Sequence, residues 1–530
     1  MKNNVIRLII TLGFGFIYFY VTLPPINFQN SDFLFFLLVL LVVYLLTGVV
    51  ELLEIKKILT KRIKPNFKPT GLVAMSIMLI ILLPIIINFF LSPLFFAKSY
   101  SKRIVVDENN DFSKDVALVD FNKTPLIDKD SSIKLGDRVM GQMPELVSQF
   151  DVSTIYTQIN FNNEITRVTP LEYSDFFKYL ANKNDGVNGY IKVNSVNGNA
   201  ELIKLKEGMQ YLPSAFFSKD LYRKLRFSYP TFIFDKEKFE IDDDGVPYWI
   251  VPTSKFIGVG LKKETSGIVI LNAITGDSTY YDVKDVPTWV DHVYSTDLIL
   301  EQIDNWGRYR SGFFNSIIGQ KNVITTTEGY NYLVMNNDVY LYTGITSVLS
   351  DESNIGFVLT NLRTKETRYY AVPGAEEFSA MASAEGQVQQ MKYDATFPLL
   401  INLNNKPTYL ISLKDNAGLV KMYAFVDLVD YQKVVVTDAS LGIQKAADNY
   451  LEGNTDLEDN QLINENITIK SIEMALIDGN SIYYIIDTNN LKYKANIKVS
   501  KDKLPFIKSG DSIEIRYAIK KDVTEILLIE

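Results

Sequence analysis

The sequence predicts an α+β protein: three N-terminal transmembrane helices, tandem helix-plus-antiparallel-sheet modules, and a small C-terminal β-barrel. Three observations predict it. Long uncharged runs are confined to the first hundred residues, a hairpin pattern recurs in the middle of the chain, and the last segment is strand-like with Gly-containing turns.

The uncharged runs span residues 8–31, 33–50 and 69–97. A bilayer-spanning helix needs about 20 apolar residues, so all three qualify, the second near the short limit. Residues 1–97 are therefore assigned as a three-helix anchor in a lipid bilayer. The first run also fits a cleaved signal peptide, with Lys2 and Arg7 ahead of an apolar segment. No small-x-small cleavage site follows, and Pro24-Pro25 stands there instead, which favours a retained helix. Orientation follows the Lys and Arg of short loops. The first connection has none, whereas the second carries Lys56, Lys57, Lys61, Arg62, Lys64 and Lys68. That bias places the N-terminus in the cytoplasm and the bulk after residue 97 on the outer side of a multi-pass cell-membrane protein. Lys98, Lys102 and Arg103 oppose it with fewer charges. No Asp, Glu, Lys or Arg falls at mid-membrane depth, which argues against transport through this bundle unless another subunit joins it. Asn88 is expected to make a helix–helix hydrogen bond. Pro84 and Pro93 are expected to kink the third helix.

At 530 residues the chain exceeds one domain. Its net charge of -8 comes without a basic patch outside the anchor, which argues against nucleic acid as a partner. Cysteine is absent and histidine occurs once. Thiol nucleophiles, Cys-ligated zinc and haem attachment are thereby excluded. Outside the cell, such a chain stands on apolar cores rather than disulfides.

The repeat lies in residues 266–283 and 355–372. Without gaps, Gly267 matches Gly356, Val269 matches Val358, Asn272 matches Asn361, Thr275 matches Thr364, and the Tyr280-Tyr281 and Tyr369-Tyr370 pairs coincide. Each reads as strand, polar turn, strand. A weaker third copy begins at Ala417. The segments 244–251 and 405–412 read as turn, Pro, then strand. A helix lies upstream of each hairpin, over 218–227, 295–308 and 376–391. A helix can cover one sheet face and leave the other for a neighbour. This helix-then-meander unit resembles PepSY-like (cystatin-related) domains through residues 268–283, 357–372 and 418–426. The resemblance implies non-catalytic modules that bind or restrain partners outside the membrane. The second copy departs from the pattern, with Lys365 at the turn Gly.

Boundaries follow. Residues 98–211 form an α+β neck, with a helix over 131–150 broken by Gly136 and Gly141, another over 171–181, and a hairpin turning at Asn197-Gly198. PepSY-like units occupy 212–290, 291–373 and 374–451. The acidic stretch 452–461 is a linker. Residues 462–530 form a small OB- or SH3-like barrel of five strands, with turns at 478–480 and 509–511.

Few motifs suggest chemistry. His292 lacks a Gly-x-Ser-x-Gly partner and reads as an incidental residue at a helix start or on the surface. Glu240-x-Asp242-x-Asp244-Gly245 mimics the start of a calcium loop, but Val251 stands where the bidentate Glu belongs. Asp242 and Asp244 are thus weak calcium candidates, and a solvated turn is preferred. Asp351-Glu352 and Glu301/Asp304 carry the residue types of a glycosidase pair and nothing more. Nucleotide-binding glycine motifs are missing, so no cofactor is expected. Trp249, Tyr248, Tyr280, Tyr281, Tyr369, Tyr370 and Tyr409 read as core residues before groove residues. The expected function is a non-enzymatic, membrane-tethered extracytoplasmic binding or scaffold protein engaging a protein partner or wall polymer. The alternatives are an accessory subunit of a transport or secretion complex, and a hydrolase using carboxylates.

Overall fold

The structure is a computed structural model that describes residues 2–58, 68–348, 350–453, 463–477, 480–518 and 524–529. It is a mixed α+β fold in two compact units, Met1–Tyr450 and Leu451–Glu530.

The first unit begins with apolar helices α1 (Lys2–Thr22), α2 (Ser31–Ile58) and α3 (Lys68–Leu91), where α2 packs on both others. Among the described residues, two stretches are long and apolar enough to cross a membrane, Asn4–Thr22 and Leu72–Leu91. The apolar part of α2, Ser31–Thr47, is shorter, because Glu51, Glu54, Lys56 and Lys57 fill its last turns. The three crossings expected from sequence, the second near the short limit, thus stand as two clear candidates and a shorter one. The loop residues Lys61, Arg62 and Lys64 lie outside the described residues. Pro84 sits inside α3. Pro93 does not kink that helix: α3 ends at Leu91, Ser92 is extended, and Pro93 opens α4 (Pro93–Ser101). Proline suits a first helical turn, where its missing N–H costs nothing.

Four modules follow, each a helix and five strands paired alike. Module 1 has helix Lys129–Gly141 and strands Phe150–Val152, Thr157–Phe161, Glu164–Tyr173, Val187–Asn194 and Ala200–Met209. Module 2 has helix Leu221–Ser228 and strands Ile233–Phe234, Lys238–Ile241, Pro247–Phe256, Lys263–Asn272 and Ser278–Asp282. Module 3 has helix Thr296–Tyr309 and strands Ile324–Thr326, Asn331–Met335, Asp338–Ser347, Ser350–Asn361 and Thr367–Tyr370. Module 4 has helix Glu377–Gln387 and strands Asp394–Ala395, Leu399–Leu403, Lys406–Lys414, Val420–Asp427 and Val434–Asp438. In every module the third strand pairs antiparallel with the first, second and fourth, and the fourth pairs with the fifth. The stretch before residue 212 therefore holds a fourth copy of the unit that the sequence pattern shows three times.

Two turns define the unit. Between second and third strands stand Asn162-Asn163, Asn336-Asn337 and Asn404-Asn405, all with positive φ. Two-residue hairpin turns of this kind need left-handed backbone at both positions, which Asn tolerates. Between fourth and fifth strands, the side-chain oxygen of Asn194, Asn272, Asn361 or Asp427 accepts two backbone N–H groups, two and three residues ahead, at 2.8–3.1 Å. The matched glycines have a packing reason. A Cβ at Gly267 or Gly356 would strike the Tyr281 or Tyr370 carbonyl and the ring of Tyr280 or Tyr369. Each of those tyrosines folds over its glycine and donates to the carbonyl one residue before it.

The modules close on one another. Modules 1 and 2 share one core, with Met140, Leu171, Tyr190, Leu225, Trp249 and Leu271 buried together. Asn160 of module 1 donates to the Asn337 carbonyl of module 3. Ser131 of module 1 donates to the Gly418 carbonyl of module 4, and Lys414 pairs with Asp128 at 2.6 Å. A strap precedes module 1: Val106–Asp107 pairs parallel with the last strand of module 3, and Leu118 bridges to Asn402 of module 4. Two neck expectations change. Gly136 does not break its helix; the helix runs on to Gly141, and a Cβ at Gly136 would hit the Tyr156 hydroxyl. Residues 171–173 finish a strand, and the helix there is Phe176–Asn182, capped by Asp175.

The second unit is a closed barrel of strands Ile463–Ile477, Asn480–Asp487, Lys492–Asn496, Ser512–Ala518 and Thr524–Ile529, in the order 1-2-3-5-4 with the third and fifth parallel. Ile467, Ile485, Tyr493, Ile515 and Ile526 fill it. Most of the linker expected at 452–461 lies outside the described residues, as do 478 and 479. The turn asparagines give a test: Asn272→Ala should cost about 1–2 kcal/mol through two lost backbone bonds. Asn272→Asp, the residue type module 4 uses, should cost far less in thermal unfolding.

Candidate functional site at the helix–module junction

Three polar clamps join the apolar helices to modules 2 and 3. The connection from α1 to α2 lies against module 2, where Ile26 N–H donates to the Pro230 carbonyl at 2.7 Å. Beside it, buried Arg226 donates Nε to the Leu23 carbonyl at 2.9 Å and Nη1 to the Phe232 carbonyl at 2.6 Å. Burial lowers its pKa to about 10, which still leaves it charged at neutral pH. Phe19 and Tyr20, in the last turn of α1, meet Phe227 of the module 2 helix at 6.0 and 6.4 Å between ring centres.

The second clamp corrects an expectation. Asn88 makes no helix–helix bond. Its Nδ2 donates to the Val259 carbonyl at 2.7 Å, and its Oδ1 accepts the Val259 N–H at 2.9 Å. Both backbone groups belong to the turn joining strands Pro247–Phe256 and Lys263–Asn272, where Gly258 has φ +79 and leaves no room for a Cβ beside Asn88. Asn88 stands three residues before the end of α3, so its amide reaches beyond the apolar stretch. The third clamp is Arg103, just past α4. Its fully buried side chain bonds Glu264 and the Lys263 carbonyl of module 2 and Glu301 of the module 3 helix. Arg103 is therefore a buried tie between the two modules.

A second polar cluster sits where modules 1, 2 and 3 meet. Glu240 is fully buried, and its two oxygens accept the backbone N–H groups of Asp291 and His292 at 3.0 and 3.1 Å. Asp291 accepts the Asn160 N–H at 2.7 Å. His292 Nε2 bonds the Gln158 carbonyl at 2.7 Å, so that nitrogen carries the proton. Burial lowers the His292 pKa to about 3, helped by Lys238, and keeps the ring neutral. The lone histidine is thus buried, which removes the surface alternative and leaves a position just ahead of the module 3 helix. Burial raises Glu240 to about 7 and Asp291 well above the usual carboxylate range, the latter helped by Glu240. Glu240, Asp291 and His292 are each no more than 3% exposed. The cluster holds backbone in the interior of the unit.

Other flagged residues are spent on structure. Asp242 accepts the N–H groups of Asp244 and Val246 within its own turn. No group of three or more His, Cys, Asp or Glu that could hold a metal occurs among the described residues. Glu301 pairs with Arg103, and Asp304 accepts the N–H and hydroxyl of Thr326. The side chains of Asp351 and Glu352 lie outside the described residues. Trp249, Tyr370 and Tyr409 are buried, while Tyr280 is exposed at the rim. No protein-family model matches the chain, and no curated protein matches it either.

Two outcomes are expected. Asn88→Leu removes both partners of Val259, so hydrogen exchange at 257–262 should accelerate while the module 4 core stays protected. A carboxyl whose pKa rises on folding binds its proton more tightly in the folded state. Its stabilising contribution is complete below 4.5 and is lost as pH climbs through about 7. Glu240→Gln should flatten the fall in thermal midpoint across that window.

Proposed function

We propose that the chain is a non-enzymatic scaffold anchored in the cell membrane by its N-terminal helices, with the bulk outside the cytoplasm, and that it engages a protein partner or wall polymer there. The observation that carries this reading is the bidentate Asn88–Val259 clamp with its neighbours Arg226 and Arg103. These contacts sit at the body ends of α1 and α3 and fix the modules as a platform rather than a tethered bead. Lys2 at the start of α1, Lys56 and Lys57 in the last turn of α2, and Lys68 at the start of α3 fall at the opposite helix ends, which agrees with the bias of cationic loops toward the cytoplasm. Helix-then-meander modules agree with PepSY-like units. The 1-2-3-5-4 barrel with one parallel pair agrees with an OB-like fold, which binds oligomers or proteins in many settings.

One observation favours a second reading, an accessory subunit of a transport or secretion complex. None of the Leu72–Leu91 stretch is buried within the chain. Such a face suits lipid or a partner helix. Purification in mild detergent would then bring down a multi-helix protein.

The chain has no cysteine, so single-cysteine probes report cleanly. In intact cells, Val429→Cys should react with a membrane-impermeant maleimide, and Lys61→Cys should react only after permeabilisation. The reverse pattern overturns the proposed sidedness.

A further inference from the structure

The exposed apolar residues of the first unit include two groups outside the spanning stretches, and both connect to the helix ends. The first is Phe177, Phe216, Phe217 and Phe227, with half-buried Phe176 among them. Phe176 meets Phe216 at 4.9 Å and Phe217 at 6.1 Å, while Phe177 is 76% exposed. Arg223 ties this group to α1, donating to the Phe217 carbonyl at 2.7 Å and stacking over Tyr20 at 4.2 Å. The second group is Ile317 and Ile318 in a single π-helical turn, Asn315–Gly319, with Phe314 just before it. Ile318 is 81% exposed. The tip is held by polar bonds: Asn315 donates to the Lys321 carbonyl at 2.9 Å and Ser316 to the Phe313 carbonyl at 2.6 Å. An ordered tip that presents isoleucine to water is a costly arrangement unless something apolar receives it.

Depth follows from the helices. The 19-residue stretch Asn4–Thr22 is about 28 Å long, close to the hydrocarbon thickness of about 30 Å. Phe19 and Tyr20 are in its last turn, so the first aromatic group lies at the level of the lipid headgroups. For the second group, Arg103 pairs with Glu301 and Tyr100 with Tyr309. The module 3 helix therefore runs antiparallel to α4, and its end, with the tip beyond it, returns toward the start of α4 and the end of α3. Lys178, Lys219 and Lys224 neighbour the first group in sequence, and Lys98 and Lys102 line the cavity beside Gly312. Aromatic side chains with flanking cations are the chemistry of a bilayer interface.

We propose that these two groups are feet that insert into the bilayer interface, so that the modules rest on the lipid surface on either side of the helices. This rests on the anchoring reading above. The test uses the full chain reconstituted in lipid nanodiscs that carry a shallow quencher. Single cysteines at Phe177→Cys, Ile318→Cys, Ile86→Cys and Val429→Cys bear an environment-sensitive fluorophore. The expected result is a blue shift and loss of most emission at 177, 318 and 86, with 429 unchanged. Quenching at 86, with 177 or 318 behaving like 429, overturns the feet and leaves the anchor standing. No quenching at 86 overturns the anchor and the feet together.

Discussion

Each module is built on five strands preceded by one helix, and one short helix cannot cover both faces of such a sheet. That constraint governs the first unit. The faces left open are closed by neighbouring modules, so modules 1 and 2 bury a single core around Trp249 and Tyr190. Module 1 also meets modules 3 and 4, through Asn160 and Ser131. The strap from residue 104 to 128 completes the closure by pairing with modules 3 and 4 before the first module helix begins. Four units that look like beads in sequence thus fold as one body.

Where so many faces meet, polar backbone becomes trapped and must be satisfied. Glu240 serves that need by accepting two N–H groups of the connector between modules 2 and 3. A second buried carboxylate, Glu377, does similar work in modules 3 and 4, where the Tyr342 hydroxyl and Asn354 donate to it at 2.8 and 3.0 Å. Acids in such places suggest catalysis when read from residue type alone. Their burial, and their use as acceptors for main chain and neighbouring side chains, give them a structural role.

The junction with the apolar helices uses the same economy. Asn88 and Arg103 end on backbone groups of module 2, and Arg226 of module 2 ends on the Leu23 carbonyl just past α1, so the helices and modules are stitched by main chain as well as by side-chain pairs. Backbone partners depend little on the identity of the residues supplying them. That is one reason the clamps left no pattern to read: nothing in the segment 256–262 marks Val259 as the partner of a helix residue 171 positions earlier. Asn88 was visible as the one amide in an apolar run, but its partner was not. The fourth module copy left a fainter trace, the Asn-Asn turns at 162, 336 and 404 and the turn-opening Asn194, masked because a helix interrupts module 1 between its third and fourth strands.

Local rules set the apolar helices, the module helices at Leu221–Ser228, Thr296–Tyr309 and Glu377–Gln387, the repeated hairpins and the strand-rich C-terminal segment. Periodicity, turn chemistry and run length act over a few residues and can be read without a fold. Tertiary structure alone decided that Gly136 lies within a helix against Tyr156, that His292 is buried and neutral, that Arg103 is a tie between modules, and that four modules close into one body. Each of those outcomes depends on a neighbour distant in the chain, whose approach fixes both the space and the solvent available to the side chain.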